Sequence, residues 1–200
     1  MIRIIKKIPN KITVACSGGV DSMVFVDFLL KGKKKIELAF FNHDTLHSQK
    51  AEMFVREYSN RNNLVLHTGG VQGYKGKRSM EEFWRDERYS FFNTLQSSYI
   101  ITCHHLDDCL ESWVMSSMHG NPKLIPYHRE PNIYRPFLMT SKRVIKKYAC
   151  NKAIKWVEDP SNEQTKYIRN HTRHNVIPQI LKINPGIRTT IRKKLIENYL

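Results

Sequence analysis

The run Ser17-Gly18-Gly19-Val20-Asp21-Ser22 puts two hydroxyls, two glycines and a carboxylate into six residues, with no lysine among them. Glycines let a backbone turn tightly and bring N–H groups against a ligand, and a helix starting there aims its positive dipole end at the same point. That combination suits phosphate. Ser17 and Ser22 add hydroxyl donors, and Asp21 can hold a Mg²⁺ ion that bridges phosphate groups. A Walker A loop requires G-x-x-x-x-G-K-[ST] and a dinucleotide loop G-x-G-x-x-G; neither is present. The bland alternative is a turn followed by a helix cap, because Ser and Asp cap helices and Gly is common in turns.

A second chemical cluster is "CHHLDDCLES", residues 103–112. A helix beginning near Leu106 places Asp107 and Glu111 one turn apart and Asp108 and Glu111 three apart, beside His104 and His105. Acids also favour a helix start on electrostatic grounds, and histidines can simply end a strand. The set lacks the H-x-x-x-H or C-x-x-C spacing of a tight metal site. In "SMEEFWRDERYSFF", residues 79–92, Arg85 and Arg88 fall three apart on one helix face, able to clamp phosphate or to stabilise charge on a leaving group. Read structurally, Glu81 and Arg85 form an ordinary i,i+4 pair, while Phe83, Trp84, Tyr89 and Phe92 belong to a core.

Positioning these residues requires elements, and the pattern supplies them. Short apolar runs, "KITVAC", "IELAFFN", "LVLH" and "YIITC", alternate with helix-period segments of 10 to 17 residues. This predicts an α/β fold, a Rossmann-like parallel sheet with flanking helices. In such sheets ligands bind beyond the carboxyl ends of the strands, and "VACSGG", "FFNHD" and "ITCHHLDD" all fall there. After about residue 120 the stretch "HGNPKLIPYHREPNIYRP" carries four prolines and no sustained period, which reads as a linker or excursion. The expected organisation is an α/β domain over residues 1–125 and a small, basic, mainly helical part over 126–200.

Charge refines that division. The chain of 200 residues has 33 Lys+Arg against 18 Asp+Glu, a formal net charge of +15. Residues 141–200 alone carry 14 Lys+Arg against 4 Asp+Glu, so a polyanion-facing surface is expected mainly in the last third. Nucleic acid is the first candidate partner. No apolar run long enough to cross a membrane and no secretory signal is evident, so a soluble, cytoplasmic protein with no membrane partner is expected. The four cysteines, Cys16, Cys103, Cys109 and Cys150, form no CxxC pair and read as small hydrophobes in or beside apolar segments.

The motifs also carry a resemblance. "SGGVDS" after a strand and before a helix resembles the PP-loop of the ATP-pyrophosphatase superfamily, matching S-G-G-x-D-S at all five fixed positions. "HHLDDCLES" resembles the H-H-x-D-D-Q-x-E-T motif of the tRNA(Ile)-lysidine synthetase family, with Cys109 for Gln and Ser112 for Thr. The Arg85–Tyr89 stretch is similar to that family's E-x-x-x-R-x-x-R-Y helix. Over residues 134–180, Arg135, Pro136, Trp156, Glu158-Asp159-Pro160-Ser161-Asn162, Arg169, Asn170, Arg173 and Pro178 resemble its R-P-L-L … W-x-E-D-P-S-N … R-N-x-x-R segment. "NHDTLHSQKAEMFV" looks like its H-x-L-R region, with His47 where Arg is usual, and "NPKLIPYH" after Gly120 departs from its G-L-x-G-M stretch. The likeness covers roughly residues 11–180, and the chain looks like a short form without the usual C-terminal domains.

That resemblance implies an ATP-dependent ligase. Ser17, Gly18, Gly19, Val20, Asp21 and Ser22 would bind ATP, with Asp21 on Mg²⁺; Asp107, Asp108, Glu111, His104 and His105 would serve lysine binding and catalysis. Arg85 and Arg88 would handle phosphate, and Arg135, Arg169, Asn170, Arg173 and His174 would meet RNA. The implied partners are L-lysine and tRNA, specifically tRNA-Ile with a CAU anticodon; whether two copies form a homodimer is left open. Two alternatives stand beside it. One is a different PP-loop enzyme such as a tRNA thiolase, which usually needs paired cysteines or an iron–sulfur cluster. The other is a non-catalytic RNA-binding relative, which would need neither SGGVDS nor HHLDD.

Overall fold

The computed structural model describes residues 1–163 and 168–200; Lys166 and Tyr167 of the basic stretch, and the side chain of Asn162, lie outside the described residues. Four strand–helix units come first: β1 (Lys11–Ala15) and α1 (Val20–Lys31), β2 (Lys35–Asn42) and α2 (Leu46–Arg61), β3 (Leu66–Gly70) and α3 (Met80–Thr94), β4 (Ile100–Thr102) and α4 (Leu106–Ser117). β5 (His128–Arg129), β6 (Ile133–Tyr134) and α5 (Lys142–Asn151) follow. The chain then makes a 3₁₀ turn (Pro160–Glu163), α6 (Ile168–His171), a π-helical turn (Thr172–Val176), α7 (Ile177–Ile183) and α8 (Ile187–Tyr199).

The strands form one sheet in the order β3-β2-β1-β4-β6-β5, parallel except for the antiparallel β5–β6 pair. Alternation along the strands assigns the faces. Val14, Leu38 and Phe40 point into a cluster with Met23, Val24 and Phe25 of α1 and with Ala51 and Val55 of α2. Ala39 and Ile100 point the other way, toward Tyr89 and Phe92 of α3. A third cluster joins Leu106, Cys109 and Leu110 of α4 to Ile177, Ile187, Ile191 and Leu195 of the C-terminal helices.

The sheet runs past the expected boundary at 125/126. Strands β5 and β6 extend the sheet past it, and Phe137 stacks on Phe25 of α1 with ring centroids 3.7 Å apart. Ile145 and Ala149 of α5 join the same core as α1. Strands of two residues are too short to show alternation, and prolines beside an edge strand read as loop, which is why this stretch resembled a linker.

Candidate active site

The first strand–helix junction is built to leave N–H groups open. Gly18 sits at φ +76, and a Cβ there would meet Val55 Cγ2 at 3.2 Å, so both conformation and space require glycine. Gly19 caps α1 without a side-chain acceptor. The helices of the other three strand–helix units are capped: Thr45 accepts from Ser48 N–H, Ser79 from Glu82 N–H, and His105 from Asp108 N–H. The first turn of α1 therefore keeps orphan donors, which attract an anion through both hydrogen bonding and the helix dipole. Ser22 donates its hydroxyl to Gly19 O at 2.9 Å and lies 3.4 Å from Ser17 Oγ, so both serines are held at the loop. The backbone of Val157 donates to Gly18 O at 2.9 Å, folding the "WVEDPS" segment over the loop.

Asp21 faces the junction from the first turn of α1. Lys142 Nζ lies 2.7 Å from each of its oxygens, and His105 Nε2 lies 3.5 Å away. Burial alone would raise the Asp21 carboxyl, but His105 and Lys142 outweigh it and hold it below its ordinary value. One ionised carboxylate beside two hydroxyls and a phosphate-binding turn fits Mg²⁺, which commonly takes one or two carboxylates and otherwise phosphate oxygens and water. Lys142 would have to give way to the ion. Among the described residues there is no group of three His, Cys, Asp or Glu able to cage a metal without phosphate.

The second junction, β4 to α4, is the opposite case. Asp108 accepts from His105 N–H at 2.8 Å and from Arg169 Nη2 at 2.9 Å. Glu111, only 2 % exposed, accepts from Arg169 Nε at 3.0 Å and from Arg173 Nε and Nη2 at 2.6 and 2.9 Å. Asp107 turns elsewhere, accepting from Arg188 Nε at 2.8 Å and from the Lys142 backbone N–H at 2.7 Å. Burial would raise the Asp108 carboxyl, yet His105 and Arg169 hold it well below the ordinary carboxylate range. Burial likewise opposes the charged forms of Arg169 and Arg173, and the carboxylates reverse it, holding both guanidinium groups above their ordinary value.

His105 connects the two junctions. Its Nδ1 lies 3.4 Å from Asp108 and its Nε2 3.5 Å from Asp21. Burial disfavours its cation, but Asp108 and Asp21 prevail and raise its pKa. His104, with Nδ1 3.0 Å from Thr102 Oγ1, is pushed down to about 3 by burial, with help from Arg135, Arg169 and Arg88 against Asp108, so it is uncharged at pH 7.

The structure thus brings together Ser17–Ser22, His104, His105, Asp108, Glu111, Arg169 and Arg173. Arg85 and Arg88 stand together over Tyr89, at 5.8 and 5.7 Å from its ring centroid. Three arginines expected to meet RNA have protein partners in this structure. Arg135 is 2 % exposed, donating to Pro126 O at 2.7 Å and to Tyr89 Oη at 3.0 Å. Arg169 and Arg173 are committed to Asp108 and Glu111, because carboxylates at that depth require cationic partners. Asn170 donates to Ser161 O at 2.8 Å, and His174 lies exposed on the adjacent turn. Lys142 and Arg188 were missed. A signal existed for Lys142: a lysine in the first turn of a helix, after Ser141, opposes the helix dipole and calls for another reason to be there.

A parallel sheet with an uncapped glycine turn at its first strand–helix junction, facing a carboxylate cluster at the fourth, defines a Rossmann-like α/β protein with a phosphate-loop site. Residues 3–180 match the PP-loop domain family, and the chain belongs to it. Among curated proteins it is similar to the tRNA(Ile)-lysidine synthase of Persephonella marina, 34 % identical over 91 % of this chain and 44 % of that protein. The enzyme of the same name from Francisella philomiragia is 28 % identical over 96 % of this chain and 51 % of its own length. The chain spans about half the length of these relatives. Among solved structures, the U34-tRNA thiolase NcsA from Methanococcus maripaludis, with its iron–sulfur cluster, shares the fold: TM-score 0.73 at 14 % identity, covering 96 % of this chain and 74 % of that one. No helix among the described residues is long and apolar enough to cross a membrane.

Proposed function

We propose that the chain is an ATP-dependent RNA-modifying ligase that adenylates the C2 oxygen of a tRNA wobble cytidine and attaches lysine to give lysidine. The observation that carries this reading is the pairing of an uncapped phosphate turn with an ionised carboxylate cluster, bridged by His105 between Asp21 and Asp108. The names of its relatives support the substrate.

Ser17, Gly18, Gly19 and Ser22 would hold the ATP phosphates by N–H and hydroxyl donors, and Asp21 would hold Mg²⁺, which neutralises phosphate charge when bound. The C2 oxygen attacks the α-phosphorus and pyrophosphate leaves; the lysine ε-amine then attacks C2, and AMP departs with that oxygen. Activation converts a poor leaving oxygen into a good one, and holding both partners on one surface removes much of the entropic barrier. The wobble base, already unpaired in its loop, is cheap to turn outward into the crevice. Asp108 and Glu111 would receive the ammonium of lysine, which enters by exchange with the guanidinium groups of Arg169 or Arg173. His104, held uncharged, would line the crevice beside these acids; a group titrating near 3 is too weak a base to take the amine's proton.

Thiolation fits less well. Burial pushes the thiols of Cys16, Cys103 and Cys109 up, away from the thiolate that sulfur chemistry needs. The test is pyrophosphate release from ATP with defined tRNAs, with and without lysine, followed by transfer of radiolabelled lysine. Release and labelling that require both a CAU-anticodon tRNA-Ile and lysine are expected; stimulation by a sulfide donor instead would replace ligation with thiolation, and RNA binding without turnover would leave only a binder.

A further inference from the structure

Tyr89 of α3 is buried, yet guanidinium groups from α3, β5 and the loop after β6 gather on it. Arg129 of β5 lies over the ring with its guanidinium carbon 3.7 Å from the centroid, Arg88 and Arg85 of α3 lie 5.7 and 5.8 Å away, and Arg135 holds the hydroxyl at 3.0 Å. Among the described residues none of these four arginines has a carboxylate within ion-pair distance; the i,i+4 pair open to Glu81 and Arg85 is not formed. That sets them apart from Arg169, Arg173 and Arg188, each of which sits on Asp or Glu. Burial holds the Arg88 guanidinium below its ordinary value; Tyr89 opposes this, while Arg85, Arg169 and Arg135 add to it. Like charges kept this close are offset only in part by the ring face, and the remainder favours an anion from outside.

Arg129 stands apart from the triphosphate turn. Arg129 stands on the outermost strand, three strands from β1, about 14 Å across the sheet at ordinary strand spacing. The register runs from Arg129 to Ile133, from Ile133 to Ile100 and from Ile100 to Thr13, so Arg129 is level with mid-β1, short of the strand end where Ser17 begins. Arg85 is exposed and Arg129 and Arg88 half-buried, an open arrangement spread over α3 and the sheet edge that suits a long polyanion better than a small one.

We propose that Arg129, Arg85 and Arg88 form a second anion site that grips backbone phosphate of the RNA next to the nucleotide entering the active site. The site rests on the RNA reading given under Proposed function and adds what that reading lacks, a docking surface on the sheet edge opposite β3. Arg135 would act as a positioning residue, fixing the Tyr89 ring on which the other three lie. Contacts of this kind set affinity and register and leave base identity to other groups.

The test is binding of a synthetic anticodon stem-loop RNA to the full chain, followed by fluorescence anisotropy across a salt series, for wild type, Arg129→Gln, Arg129→Lys and Arg85→Gln. Arg129→Gln is expected to weaken binding about tenfold at low salt and to flatten the dependence of log Kd on log salt by about one unit, Arg85→Gln to do the same to a smaller extent, and Arg129→Lys to recover most of the loss. The KM for ATP in pyrophosphate release should not move in Arg129→Gln or Arg129→Lys. Should Arg129→Gln fail to fold, exposed Arg85 carries the test. Unchanged affinity and salt slope in the variants, or a raised KM for ATP with RNA affinity intact, would overturn the site. Wild-type chain that binds no stem-loop at any salt would bring down the RNA reading and this site together, an outcome separable from intact wild-type binding with unmoved variants.

Discussion

The starts of α1 and α4 face the same crevice and are built on opposite principles. The α1 start keeps its N–H groups uncapped and its loop fixed by glycine, whereas the α4 start is capped by His105 and its acids are covered by Arg169, Arg173 and Arg188. A ligand arriving at the first satisfies donors that no side chain caps among the described residues, so its binding adds contacts. One arriving at the second must displace a cation already in place, so its binding exchanges contacts and depends on the difference between two ion pairs. Lys142 stands between them, holding Asp21 with its ammonium and Asp107 with its backbone N–H.

That contrast can be broken by substitution. Asp21→Ala should have the largest effect, lowering ATP turnover about 10³-fold or more while stem-loop affinity stays within a few-fold, read by pyrophosphate release and by anisotropy. Persistent turnover would remove Asp21 from the reaction. At the paired junction stability should fall as well: Glu111→Gln leaves Arg173 facing a neutral amide and should cost about 3 kcal/mol, with a fall in Tm of roughly 6–12 °C. Gly18→Ala should cost about 1–2 kcal/mol through its positive φ and the contact with Val55, and should raise the KM for ATP more than it lowers kcat. A KM left untouched would separate the turn from nucleotide binding.

The smallest effect is in pH. The raised pKa of His105 means that its contribution to stability is complete below the unfolded value of about 6.5 and is lost as pH rises through the higher folded value. Asp21 and Asp108, both lowered, contribute above the unfolded value of about 3.9 and lose that contribution as pH falls through their folded values. Tm should therefore be highest between about pH 4 and 6.5, and His105→Gln should remove the decline on the alkaline side. A variant that keeps the same alkaline slope would show that another group titrates there.

Sequence made the first junction readable because its chemistry is local: Ser17 to Ser22 are contiguous, and a strand and a helix of clear period flank them. The α/β alternation was readable for the same reason, since β1 to β4 and α1 to α4 each carry their own periodicity. The partnerships were not. Lys142 meets Asp21 from 121 residues away, and Arg169 and Arg173 meet Glu111 from 58 and 62, so as isolated residues in a basic segment they resembled a surface for RNA. Nor does pattern distinguish Arg135, held inside, from Arg129, left near the surface six residues earlier.

The Val157 amide bound to the Gly18 carbonyl gives the protein a built-in reporter. Any occupant that stiffens the glycine turn will hold that amide closed for longer, so its exchange with deuterated solvent will slow. Because Val157 is far from the turn along the chain, a single exchange rate would reveal how firmly its segment and the turn are latched, with no label and no substitution.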